Sequence, residues 1–205
     1  MHCLKTMYFN GFQTTGGLIS ILNKCPSLEW LRVFVDEQPT QTEWTLVETA
    51  MGKLPHGLKR LVMNFGKSID VSLIFASPAI ETLQCIVIDG DLSSTLPFSA
   101  PELTAFLTNE SIPDTILRSL AMYSTKLKDI KLTLPSRNDG QPVYFPLRGL
   151  EKVLITGATD ELVEVLARNN RDLQSLVVRN EDRGRINQED RKQVDRCFLH
   201  SFDYS

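Results

Sequence analysis

Few residues in this chain combine the types and the spacing that chemistry requires. Its imidazoles are His2, His56 and His200. Cys197 and His200 stand three positions apart, as two metal ligands on one helical turn would. A structural zinc ion takes four ligands, and no second pair accompanies them. A cysteine or serine nucleophile could meet His56 only through the fold, since no local signature joins them. Gly16-Gly17 lies before an apolar stretch but lacks the spacing that lets backbone donors and a lysine surround phosphates, so it reads as a turn before a helix. Asp89-Gly90-Asp91 has no glutamate at the distance that completes a calcium loop and reads as an ordinary turn. Asn109-Glu110-Ser111 matches the glycosylation sequon, a three-residue pattern that chance supplies readily. These readings leave no catalytic residue, no cofactor and no metal ligand, and the expected protein is not an enzyme.

Composition narrows the partners. Hydrophobic residues make up 42% and charged residues 23%, enough for a packed core. With 22 Lys and Arg against 25 Asp and Glu, the net charge of −3 disfavours nucleic acid, whose phosphates call for a concentrated basic surface. No apolar run is long enough to span a bilayer, and the first residues do not read as a secretory leader. Four scattered cysteines, Cys3, Cys25, Cys85 and Cys197, do not form a disulfide framework. They favour a reducing compartment, so the expected location is cytoplasmic or nuclear.

Positioning elements emerge from a recurring phrase: an apolar residue, two variable ones, a second apolar residue, one variable, and usually a third. Eight copies begin at Leu4, Leu28, Leu58, Ile80, Leu103, Leu127, Leu150 and Leu173. Six of the seven spacings fall between 22 and 24 residues, and the other is 30. This period lies in the range of leucine-rich repeats, in which a short strand and a return helix bury their apolar sides only when neighbours stack on them. Between copies, helical stripes are expected around Leu18, Ile19 and Leu22, then Trp44, Val47, Ala50, Met51 and Leu54. Two more begin at Pro113-Asp114 and at Thr159-Asp160. Residues 68–77 leave room for only a turn or a brief helix. Residues 36–42 and 137–142 read as surface loops, the latter in a unit without a regular helix.

The phrase Cys25-Pro26-Ser27-Leu28-Glu29-Trp30-Leu31, together with Ala100-Pro101-Glu102-Leu103, resembles the strand openings of leucine-rich repeats in F-box proteins. The resemblance covers residues 1–180. The asparagine or cysteine that usually closes the phrase is replaced, for example by Asp36, Gly66 and Ala158, so the repeats are degenerate. The expected fold is an α/β leucine-rich-repeat solenoid, a right-handed β-α superhelix of eight units with a parallel sheet on its concave face. Residues 181–205 are expected to form a charged C-terminal capping segment. The resemblance implies substrate recognition for an F-box type ubiquitin ligase whose adaptor would be held through a segment not in this sequence. A free-standing intracellular scaffold or inhibitor is the alternative, and an enzyme with an unrecognised site is the reading from another class.

Strand geometry then assigns a surface, because alternate side chains point to opposite faces. The central outward positions are Tyr8, Arg32, Val62, Gln84, Leu107, Lys131, Leu154 and Val177. Phe34 and Ile86 are among the next outward positions along their strands. Aromatic residues and arginine dominate protein interfaces, so Tyr8, Trp30, Arg32, Phe34, Arg60, Ile86 and Leu107 are the expected contacts with a partner protein.

Overall fold

A computed structural model describes residues 4–10, 15–35, 40–65, 69–90, 92–94, 97–134 and 145–179. The expected C-terminal cap, Cys197 and His200, and the loop at 137–142 lie outside them. Ten strands are present among the described residues: β1 Thr6–Asn10, β2 Trp30–Val35, β3 Arg60–Phe65, β4 Ile69–Asp70, β5 Cys85–Asp89, β6 Leu92–Ser93, β7 Ala105–Ser111, β8 Asp129–Thr133, β9 Lys152–Thr156 and β10 Ser175–Arg179. Five α-helices lie between them, α1 Thr15–Lys24, α2 Gln41–Met51, α3 Val71–Phe75, α4 Asp114–Tyr123 and α5 Asp160–Asn169, with a short 3-10 helix at Pro78–Glu81. Eight strands form one sheet, and its spatial order β1-β2-β3-β5-β7-β8-β9-β10 is also the order in the chain. Every neighbouring pair is parallel. Parallel neighbours need a crossover of a dozen residues or more, and the recurring spacing of about two dozen supplies it.

One face of this sheet packs against the helices. Leu31, Leu61, Ile86, Phe106, Ile130 and Val153, the partners along one row, belong to a single apolar cluster with Leu18 of α1, Val47 of α2, Leu120 of α4 and Leu162 of α5. The helices start where short polar chemistry satisfies their first N–H groups. The Thr159 hydroxyl accepts from the Leu162 N–H at 3.4 Å, and the Asp70 carboxylate accepts from the Ser72 N–H at 2.9 Å. Pro113 sits at the position just before α4, where its missing donor is harmless. Among the described residues no helix is long and apolar enough to cross a membrane.

Each strand opens in the same way. The Lys5 carbonyl accepts from the N–H groups of both Glu29 and Trp30, the Glu29 carbonyl from Lys59 and Arg60, and the Lys59 carbonyl from Gln84 and Cys85. The series continues through Gln84, Thr104, Lys128 and Glu151 to the last strand. Side chains reinforce it at both ends: Glu29 pairs with Lys5 at 2.9 Å and Lys59 at 3.0 Å, and Lys128 pairs with Glu151. Hydrogen bonds from Lys5 and Lys59, aided by their charge, hold the Glu29 carboxyl below its ordinary range. These exposed pairs add little energy each; their contribution is to fix which residue lies beside which. Asn170, buried at the end of α5, stitches adjacent units by accepting from the Leu150 N–H at 2.8 Å while donating to the Leu166 carbonyl at 2.9 Å.

Three local expectations change. The fourth copy of the phrase begins at Leu83, not Ile80, because Leu83, Ile86 and Ile88 are the residues that reach the core. The neighbouring spacings therefore become 25 and 20 residues. Gln41 and Thr42, expected in a loop, open α2, and Gly16-Gly17 lie in the first turn of α1 instead of before it. A second, two-stranded parallel pairing of β4 with β6 has no counterpart in the repeat phrase.

Candidate functional site

The opposite face of the sheet carries the outward residues in rows that run across the strands. Tyr8, Arg32, Val62, Val87, Leu107 and Lys131 are successive partners in the central row. Trp30, Arg60 and Cys85 lie one step toward the strand starts, and Phe34, Asn64 and Asp89 one step toward the strand ends. Together they line a hollow of ≈ 400 Å³. That volume is in the range of ligand clefts, though this one is framed by a sheet face.

At the N-terminal end of the hollow, aromatic and guanidinium groups hold one another in place. The Tyr8 ring meets the Trp30 ring edge-on, with centroids 5.3 Å apart and planes at 64°. The Arg32 guanidinium stands 4.3 Å from the Phe34 centroid and 6.0 Å from that of Tyr8. Contacts of this kind contribute about 0.5–1 kcal/mol each at exposed sites and pre-order side chains that would otherwise sample many rotamers. Tyr8 nevertheless keeps 60% of its surface exposed. Two donors here, Trp30 Nε1 and Arg32 Nε, are shielded from solvent and make no hydrogen bond. An unpaired buried donor costs about 1–3 kcal/mol.

Tyr8, Trp30, Arg32, Phe34, Arg60 and Leu107 thus fall where strand alternation places them, all on the hollow. Ile86 does not. It is 0% exposed and packs in the core between Leu61 and Phe106, so it is withdrawn as a surface residue. The error follows from the phase of the fourth phrase, and the correct phase adds Cys85, Val87 and Asp89 to the wall. Leu107 faces outward yet is only 3% exposed, and Leu154, farther along the same row, is 1% exposed. Both are buried without belonging to the main apolar cluster.

Charge in the hollow runs opposite to that of the chain. Arg32, Arg60 and Lys131 line it against the single carboxylate of Asp89, whereas the whole chain carries −3. Asp89 is already engaged, accepting from the Asn64 amide at 3.2 Å and the Asn109 amide at 3.5 Å. A second carboxylate lies farther along the row of Trp30, Arg60 and Cys85: burial raises the Asp129 carboxyl above its ordinary value, opposed by Lys152 and Lys128 and helped by Glu151. Burial likewise pushes the Cys85 thiol up to about 11, outweighing the opposing influence of Arg60. A thiol so raised stays protonated at neutral pH and is a poor nucleophile.

The lining residues therefore offer donors, rings and a fixed carboxylate, and no histidine. His56 is tied elsewhere, with Nδ1 3.2 Å from the Pro78 carbonyl and 3.6 Å from Glu81. Among the described residues no cluster of three potential metal ligands occurs. In comparisons with protein-family models, curated proteins and solved structures, nothing matched this chain.

Proposed function

We propose that the chain is a leucine-rich-repeat recognition module that binds another protein on the outward face of its parallel sheet. The observation that carries this reading is the cluster of Tyr8, Trp30, Arg32 and Phe34, in mutual contact on a hollow of ≈ 400 Å³. Mutually ordered aromatic and arginine side chains are the kind of surface that carries most of the energy of protein interfaces. The repeat reading is supported by strands that follow one another in chain order and by the same double hydrogen bond at each strand start. The F-box resemblance gives the proposal its most concrete form, the capture of substrates for a ubiquitin ligase.

Cross-linking tests the face directly. A photoreactive residue at Phe34 should yield covalent adducts with protein, while the same residue at Met122, which is exposed on α4, should yield none above background. Equal labelling from both positions would remove the reading.

A further inference from the structure

We infer that a second copy of this chain docks head to tail on the first, its β1 pairing in parallel with the outer edge of β10 so that the two sheets run on as one. The two ends of the sheet carry the inference. Among the described residues β1 and β10 each pair on one side only. Open edges invite another strand, and proteins usually blunt them with proline, a bulge or charge. Here the blunting is slight. β1 reads Thr-Met-Tyr-Phe-Asn and β10 Ser-Leu-Val-Val-Arg, both in unbroken register with their neighbours and with one charge between them, at Arg179. Exposed apolar surface gathers at the same places. Of the large apolar residues left exposed among the described residues, Leu4, Tyr8, Val177 and Val178 lie in or beside these two strands, and Met122 and Tyr123 sit together on α4.

An open edge alone could accept many strands; what selects a second copy is that these two edges are the halves of one joint. Within the chain each strand-start carbonyl receives two N–H groups from the next strand, and in the last such rung the Glu151 carbonyl receives those of Gln174 and Ser175. Backbone groups of successive residues turn to opposite sides of a strand, so Leu176 and Val178 turn theirs to the outer edge of β10, as Thr6 and Tyr8 do on β1. Continuing the existing register sets the Gln174 carbonyl against the N–H groups of Lys5 and Thr6 of the second copy. Val177 then prolongs the outward row beside Tyr8 of that copy, while Leu176 and Val178 prolong the inward rows beside its Met7 and Phe9. The gain is largest at Val178: in its row Val33, Met63, Ile88 and Ile155 are at most 1% exposed, whereas Val178 keeps 37%. Ser175 faces Thr6, and no two like charges are opposed. Pairing β10 with β10, or β1 with β1, would be antiparallel and would reproduce neither the rung nor these rows. A head-to-tail joint leaves one edge open at each end, so copies add into open chains.

Sedimentation velocity of the full chain tests this from about 5 to about 500 μM, a range that reveals association as weak as about 10⁻⁴ M. The mean mass should rise with concentration and pass that of a dimer. Proline removes an N–H and is tolerated in a strand where that N–H faces an open edge. Thr6→Pro should therefore spoil β1, and Val178→Pro should spoil β10, each giving a monomer at every concentration with circular dichroism retained. Mixed in equal amounts, the two variants should form a dimer and nothing larger, because one sound β10 meets one sound β1. If a proline variant does not fold, charge decides: Thr6→Glu with Ser175→Glu should associate at least tenfold more weakly than Thr6→Glu with Ser175→Lys. Unsubstituted protein that stays monomeric throughout would overturn the proposal. So would a dimer of either proline variant alone, which would mean that an edge pairs with its own kind or that another surface is in contact, and so would equal association of the two charge pairs.

Discussion

Along a single row of the outward face, the two halves of the sheet behave oppositely. Tyr8 on β1 is well exposed, and Arg32 on β2 is half-buried and held by rings; Leu107, Lys131 and Leu154 on β7 to β9 occupy equivalent places and are buried. All point away from the helices. The difference shows that the pattern of alternation sets direction only. Exposure is then decided by the size of the side chains on adjacent strands, about 4.8 Å away, and by what packs over them. The first half sets an exposed ring beside shielded, unpaired donors; the second is buried from Leu107 to Leu154 and opens again only at Val177, 37% exposed on β10.

Substitutions can break or sharpen that contrast. The largest effect is expected from Ile86→Ala, which should cost about 2–5 kcal/mol in denaturant unfolding because it empties a fully buried site. Val87→Ala, half-buried on the other face, should cost less than half as much. Equal losses would mean that the corrected phase of β5 is wrong. Leu154→Ala should come next, at about 2–3 kcal/mol, with partner binding unchanged. Arg32→Ala should do the reverse, changing stability less than Leu154→Ala because the ring contacts it loses are offset by removal of a shielded, unpaired donor, while weakening partner retention at least tenfold. If Arg32→Ala unfolds the protein as severely as Leu154→Ala, the two halves are not different in kind.

The smallest effect concerns pH. Burial raises the Asp129 carboxyl above its unfolded value, so the stability associated with this group is fully present in acid and is lost as pH rises through its folded value. Asp129→Asn should therefore gain on the unsubstituted protein as pH rises from below 3.8 toward neutrality. A stability difference that stays flat between pH 3 and 7 would remove burial as the dominant influence there.

Much of this architecture was legible because a strand and its return helix leave separate periodicities in sequence. The phrases at Leu28, Leu58, Leu103, Leu127, Leu150 and Leu173 mark strand openings, and the stripes through Leu18, Val47, Ile116 and Leu162 lie in helices. The phase failed at β5 for a physical reason. Cys85-Ile86-Val87-Ile88 is apolar at every position, as parallel strands covered on both faces often are, so no polar residue marks the outward side. Both Ile80 and Leu83 then satisfy the same template. The donors of Trp30 and Arg32 could not be foreseen as unpaired, since that depends on what neighbouring strands offer. Nor could the bond from Asn170 to Leu150, which joins residues in different units. The polar third member of the β7 phrase, Thr108, is buried with its hydroxyl accepting from the Glu110 N–H at 3.1 Å, beside the register shift in that strand.

The paired N–H groups at each strand start join one unit only to the next. Among the described residues, a chain fastened in this way has no strand pairing between β1 and β10. Pulled apart by its termini, it would come undone rung after rung and not in one snap, with a force trace of small, evenly spaced steps. Each released loop would be roughly one repeat long, and the hollow would be lost as soon as the strands of its floor parted.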